Sequence, residues 1–250
     1  MKSRRLIWMA AILGLFVMLS AAVVSAEDLE NGKILLERAT VGLLNESLSR
    51  SALRDLLDRS LGSFTRVQDQ CQRDYWQAQV FYLYGFVEQG ADRSKEAEQR
   101  FSRGFELVES ALSCGEFSDG YRLLADIQAQ LLMYNGMLYK MQYGPTVREY
   151  AEKALELDPG NIKAKLNLAL YYKNAPVIAG GSEKTAREIL HEIEGTEGLE
   201  PLDEFSVNVW LGISYAEGRN APAARRYIGQ AQEIFPGNTW LQEIISEHSL

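Results

Sequence analysis

The sequence predicts an all-α protein built from stacked helical hairpins, and three observations predict it. Apolar residues recur at three- and four-residue spacing along nearly the whole chain, as they do on one face of a helix. No stretch alternates apolar and polar residues with period two, and no Asn-Gly turn joins β-branched runs. Two distant segments also echo each other. AEKALELDPGN (151–161) and IGQAQEIFPGN (228–238) both read as a helix running into Pro-Gly-Asn.

Residues 1–26 stand apart from the fold. MKSRR is basic, LIWMAAILGLFVMLSAAVV is apolar, and Val24-Ser25-Ala26 offers the small residues of a cleavage site. This is the layout of a secretory signal peptide, with cleavage expected after Ala26. The alternative is an uncleaved anchor, because a run of about 20 apolar residues spans a bilayer. The expected location is the periplasm or cell envelope, with membrane attachment only through residues 6–24. No cysteine lies near the cleavage site, which excludes acylation there.

Residues 27–70 are expected to form a helical pair acting as a cap. Leu29, Leu35, Leu36, Ala39 and Leu43 mark its first helix; Leu53, Leu56, Leu57, Leu61 and Phe64 mark its second. Residues 71–250 hold about four hairpins and a C-terminal capping helix, TWLQEIISEHS. All six prolines, Pro145 among them, are expected at element edges, and residues 194–204 as an acidic loop.

The chain has 250 residues with 26 basic and 34 acidic side chains, net charge −8. The leader holds Lys2, Arg4 and Arg5 and no acid, so the remainder is more negative still. No Lys/Arg cluster remains. Nucleic-acid binding needs cationic surface and is not expected. Catalysis finds no motif. His191 and His248 lack Cys or His partners at ligand spacing, so no metal or other cofactor is implied. No G-x-S-x-G occurs.

The repeat has a recognisable frame. In a 34-residue window beginning at Phe205, Leu211, Gly212, Tyr215, Ala224, Ile228, Ala231 and Pro236 fall at offsets 7, 8, 11, 20, 24, 27 and 32. This resembles the tetratricopeptide repeat (TPR), a helix–turn–helix unit. Small residues at offsets 8 and 20 let two helices approach, and large apolar residues fill the space between hairpins. A third copy has Leu168, Ala169 and Tyr172; a degenerate second has Tyr134, Asn135, Leu138, Val147, Ala151 and Ala154; a first has Phe81, Gly85, Ala97, Phe101 and Gly104.

Cys71 and Cys114 are the only cysteines. An exported chain with two cysteines suggests a disulfide, the alternative being two buried free thiols. The first hairpin's helices are expected at about 74–90 and 93–112. Cys71 then precedes the hairpin and Cys114 follows it, side by side at its open end.

From offset 8 to offset 20 the third copy, Ala169 to Ala186, is about five residues longer than the others. The extra segment is NAPVIAGGS. It lacks the spacing and the strand of a phosphate loop, and reads as a connector in which Ser182 caps the next helix. The run ALELDPGN, YY, APVIAGG and a following alanine-bearing helix also resembles the T component of TRAP-type transporters. That resemblance implies an exported TPR-like protein whose partner is a periplasmic solute-binding protein and whose ligand is an apolar small molecule.

In the TPR frame the first helix of each hairpin lines a concave groove. The frame assigns to the groove Tyr82 and Phe86; Leu132, Tyr139 and Lys140; Lys163, Leu166, Leu170 and Lys173; and Val209 and Ile213. The TPR clamp for a peptide carboxylate carries Lys and Asn at offsets 5 and 9, where this chain is mostly apolar. The expected function is binding of a protein partner through an apolar-floored groove. The alternative is that another helix, such as one from the N-terminal pair, covers the strip.

Overall fold

A computed structural model describes residues 26–250, so the leader lies outside the described residues except for Ala26. These residues form helices and no strand: α1 (26–44), α2 (Arg50–Thr65), α3 (Gln70–Gln89), α4 (Ser94–Leu112), α5 (Ser118–Tyr134), α6 (Met137–Leu157), α7 (Ile162–Asn174), α8 (Glu183–Glu194), α9 (Pro201–Glu217), α10 (Ala221–Ile234) and α11 (Thr239–Glu247). The closest pairs are α3/α4, α5/α6, α7/α8 and α9/α10, the four expected hairpins. The hairpins stack in chain order, and α3, α5, α7 and α9 also touch in succession along one face, the inner face.

The helix starts follow from local chemistry. Ser49, Asp69, Asn161, Ser182, Asn220 and Asn238 each accept a hydrogen bond from a backbone N–H in the first turn of the helix they precede. The two Pro-Gly-Asn segments are therefore hinges: proline and glycine end one helix and asparagine caps the next.

The small residues of the frame stand where helices cross. A Cβ on Gly85 would sit 2.3 Å from the Phe101 ring, and one on Gly212 would sit 2.5 Å from Cδ1 of Ile228. Phe101, Ala169, Ala186 and Ala224 are fully or almost fully buried. In the N-terminal pair Gly32 likewise admits the Phe64 ring. The core is a series of clusters between neighbouring helices. Leu35, Leu36 and Ala39 of α1 join Leu53, Leu57 and Phe64 of α2 and Val80 and Tyr84 of α3 at one end.

Cys71 and Cys114 are joined in a disulfide. Cys71 lies in the first turn of α3 instead of before it, because α3 starts earlier than the frame implies.

Three expectations need correction. In the second hairpin Val147, Ala151 and Ala154 are buried as expected, but the turn falls at Asn135–Gly136. The frame places these residues inside the first helix. The second helices α4, α8 and α10 begin three residues before Ala97, Ala186 and Ala224, whereas α6 begins ten residues before Val147. The cause is MLYKMQY, a run of helix-compatible residues with no breaker until Gly144-Pro145. Pro145 accordingly sits inside α6 and not at an edge. It has no N–H to continue the helical ladder, while Thr146 Oγ1 donates to the Tyr143 carbonyl at 2.8 Å. The acidic loop is shorter than expected, since residues 201–204 already belong to α9 with Pro201 in its first turn.

The connector between α7 and α8 holds a 3₁₀ turn, Val177–Ala179, followed by Gly180 at φ +90°. Tyr171 Oη donates to the Ala179 carbonyl (2.6 Å), and Ser182 N donates to the Tyr172 carbonyl (2.7 Å). A Cβ on Gly181 would lie 1.8 Å from the Ala175 carbonyl oxygen. The proline and glycines of APVIAGG thus have local structural causes.

The last hinge meets the first loop. Asn238 Nδ2 donates to the Leu44 carbonyl (2.7 Å), Gly237 N to Asn45 Oδ1 (2.8 Å), and Thr239 N to Glu46 Oε1 (2.8 Å). Leu44 packs beside the cluster of Phe205, Val209, Leu241 and Ile244. A Cβ on Gly237 would stand 2.1 Å from the Asn45 backbone oxygen. Gly237→Ala is expected to open this joint at a cost of about 1–3 kcal/mol, the scale for polar groups left unpaired. Hydrogen exchange should then rise at residues 44–46 and 237–241 and stay unchanged in α5 to α8.

Candidate functional site

Charged side chains cross the inner face from helix to helix. Arg122 of α5 is only 6% exposed. Its Nη1 lies 2.7 Å from Asp126 Oδ2, and its Nη2 donates to Tyr75 Oη of α3 at 3.2 Å. Asn167 of α7 donates to the Arg122 carbonyl at 3.0 Å. Burial works against the Arg122 charge, but Asp126, Tyr75 and Asp119 raise its pKa above the ordinary value. Burial pushes the Asp126 carboxyl upward, opposed by Arg122, Asn167 and Lys163. Lys163 of α7 is half-buried, acts electrostatically on Asp126 and Asp203, and makes no hydrogen bond or ion pair among the described residues.

Asp203, in the first turn of α9, completes the series. Burial raises its pKa; Lys163 and Arg122 oppose the rise, while Glu200 and Asp126 add to it. A carboxyl whose folded pKa lies above its unfolded value loses stability as pH rises through the folded value. Asp203→Asn is therefore expected to raise the unfolding midpoint at pH 7. Its advantage over the parent should close as the pH falls through the carboxylate range, which urea titrations at pH 7, 5 and 4 would show.

These side chains revise the expected apolar floor. Arg122 and Asp126 were hidden by register, since the frame of the second copy starts past both because α6 is extended; Asp203 was missed because α9 begins at Pro201, before the fourth frame starts at Phe205. The signal that finds them is the Arg122/Asp126 pair, four residues apart in an otherwise amphipathic run. Tyr82 and Phe86 lie half-buried on α3, ring centroids 5.0 Å apart and edge to face, and both rings pack against Phe101. Burial and the nearby Asp126 raise the Tyr82 pKa well above the ordinary value. Leu132, near the end of α5, joins the cluster of Val147 and Tyr171. Tyr139 and Lys140 lie on α6 and not on a first helix; Tyr139 packs beside Leu123 and Ile127 of α5 and accepts from Gln128 Nε2 at 3.3 Å, its ring tilted against Tyr143 at 4.4 Å, while Lys140 is exposed.

On α7, Lys163 and Leu170 are half-buried, and Leu166 packs beside Leu190 and Leu211. The Lys173 side chain is 5% exposed, between Glu217 of α9 and Glu183 of α8. It is an internal tie between three helices and not a groove margin. Val209 is fully buried and Ile213 nearly so, against Leu241 and Ile244 of α11 with Leu44 alongside. At α9 the strip is therefore covered, by α11 and the end of α1.

Two surface clefts lie elsewhere. One is formed by Ile34, Arg38, Val41 and Leu48, the other by Lys184, Arg187, His191 and Tyr215. His191 is engaged by Glu194 at 2.7 Å and by Tyr215 Oη at 2.9 Å. No group of three or more His, Cys, Asp or Glu side chains suited to a metal occurs among the described residues. No described helix is long and apolar enough to cross a membrane.

Four helical hairpins stacked in chain order, with small residues where the helices of the first, third and fourth cross, decide the fold. The array has the TPR fold. The crystal structure of TTC0263, a thermophilic TPR protein of Thermus thermophilus, superposes with a TM-score of 0.59 at 15% identity, covering 87% of this chain and 98% of that one. YrrB, described as a TPR protein with an unusual peptide-binding site, is a weaker structural match: TM-score 0.37 at 17% identity, covering 86% of this chain and 91% of that one. No family model matches the sequence, and no curated protein matches it. The TPR array of this chain thus stands on its architecture and on the residues at its helix crossings.

Proposed function

We propose that this chain is an exported interaction scaffold that holds a polypeptide segment of a partner protein against the inner face of its TPR array. One observation carries the reading. Side chains of both signs, Arg122, Asp126, Lys163 and Asp203, run across α5, α7 and α9 beside the Tyr82–Phe86 pair and Leu170. A polypeptide brings donors, acceptors and apolar side chains at regular intervals and can pair with such a strip. A wholly apolar ligand would strip water from these charges without replacing it. Export is supported by the leader and by the Cys71–Cys114 disulfide, a bond that persists in oxidising compartments. The resemblance to TRAP transporter T components makes a solute-binding protein one form of such a partner.

The test places a photo-crosslinking residue at Leu170 and, as a control, at the exposed Glu188 of α8, in the cell that makes the protein. A discrete protein adduct is expected at position 170, absent at 188 and lost in a Lys163→Glu background. Equal crosslinking at both positions, or none at either, would remove the inner face as the docking site. Mass spectrometry of the denatured protein reads the transporter alternative directly: a retained apolar compound in place of an adduct would favour it.

A further inference from the structure

We infer that the tips of the second and third hairpins form a patch that seats on an anionic membrane surface. The patch is built from two additions to the repeat. The first two turns of α6 bury no side chain, yet they display Met137, Leu138 and Met141, with Met133 just across the turn; Leu138 is 84% exposed. The connector between α7 and α8 displays Val177 and Ile178, the latter 98% exposed. Both project from the same end of neighbouring hairpins. Arg148, further along α6, packs that helix against the connector: its guanidinium lies 5.7 Å from the Tyr171 ring centroid, and its Nη1 is next to Gly180.

Met137, Leu138, Met141, Val177 and Ile178 belong to none of the core clusters, so these apolar side chains must be justified by something outside the core. Exposed apolar residues gathered in one place mark an interaction surface. Charge selects the occupant. This acid-rich chain has no Asp or Glu from 127 to 148 and none from 159 to 182, the two runs that carry the patch. Nearby carboxylates are engaged: Glu98 accepts from Asn135 at 3.2 Å, and Glu183 and Glu217 face Lys173. Lys140 is exposed at the tip and makes no ion pair among the described residues. The half-buried Tyr143 lies on the same two turns, the kind of amphipathic ring that collects at the headgroup level. Apolar tips with aromatic neighbours, an exposed lysine and no carboxylate match a surface that buries side chains shallowly beneath anionic headgroups.

The test uses the full chain, whose own cysteines are paired, with one added thiol carrying a nitroxide at Leu138→Cys, at Ile178→Cys or, as a control, at Arg225→Cys on α10. Helix content checks that each labelled chain folds. On vesicles of equal phosphatidylcholine and phosphatidylglycerol, labels at 138 and 178 are expected to lose access to a water-soluble nickel chelate several-fold and to gain access to oxygen. The label at 225 should not change. Any leader-mediated attachment is common to all three chains, so the label depth reports which face meets the bilayer. Lys140→Glu in the chain labelled at 178 should reverse the effect. Labels that stay open to the chelate would overturn the inference. So would equal depth on pure phosphatidylcholine, and so would shielding from both reagents without vesicles, which would assign the patch to a protein or to a second copy.

Discussion

Phe101→Ala is expected to lower the unfolding free energy by about 3–5 kcal/mol, the range for large aromatic truncations in a core. Phe101 has no exposed surface. Its ring fills the space left by Gly85 and meets Tyr82, Phe86 and Tyr134, so one side chain joins the two helices of the first hairpin to the end of α5. The hole cannot collapse easily, because the rings around it are held on two other helices, α3 and α5. Urea denaturation followed by far-UV circular dichroism measures the loss. Phe105→Ala, at a half-buried ring on the same helix, should cost clearly less. A loss under about 1 kcal/mol for Phe101→Ala would be too small for a core aromatic and would remove this residue from the centre of the packing.

Replacing both Cys71 and Cys114 by serine is expected to cost about 4 kcal/mol. The two residues are 43 apart in sequence, and in the chain-entropy model a loop of that size restricts the unfolded chain by this amount. The bond lies at the open end of the first hairpin, so the loss should also appear locally. Amides near the start of α3 and in residues 113–117 should exchange faster, while α9 and α10 keep their protection. Reducing the native protein should reproduce the double substitution. If the variant and the parent unfolded at the same urea concentration, the cross-link would contribute nothing to stability.

Most of the hairpin order was legible because the sequence writes each helix crossing as a small residue facing a large one. Gly85 with Phe101 and Gly212 with Ile228 are such pairs, and each sits where the frame puts it. The second hairpin was misread for a physical reason. Its inner residues, Val147, Ala151 and Ala154, obey the repeat, but α6 grows backwards past them through MLYKMQY. Counting from the buried face of one helix says nothing about how far its partner extends. Arg122 and Asp126 were lost with that register. The covering of the strip could be raised from the sequence only as an alternative: at Val209 and Ile213 it depends on Leu44, more than 150 residues away, and no periodic pattern encodes which surface a chain end will meet. The cysteine pairing could be read because a hairpin of equal arms brings its flanks together.

Asn161 and Asn238 occupy the same place in the repeat, and their amides differ in what they hold. Asn161 reaches back to Ser118 at the start of the preceding hairpin, whereas Asn238 reaches to Leu44 in α1, the first of the described helices. An open solenoid resembles a one-dimensional lattice, in which the terminal units have one neighbour each and melt first. Here the boundary units are tied to each other. Losing either one forfeits a contact with both its sequence neighbour and the opposite terminus, so fraying from the ends carries a penalty that an unlinked array does not have. The array should therefore melt as one cooperative unit, with coincident transitions at its two ends. Gly237→Ala should separate them into the stepwise loss of an ordinary linear stack.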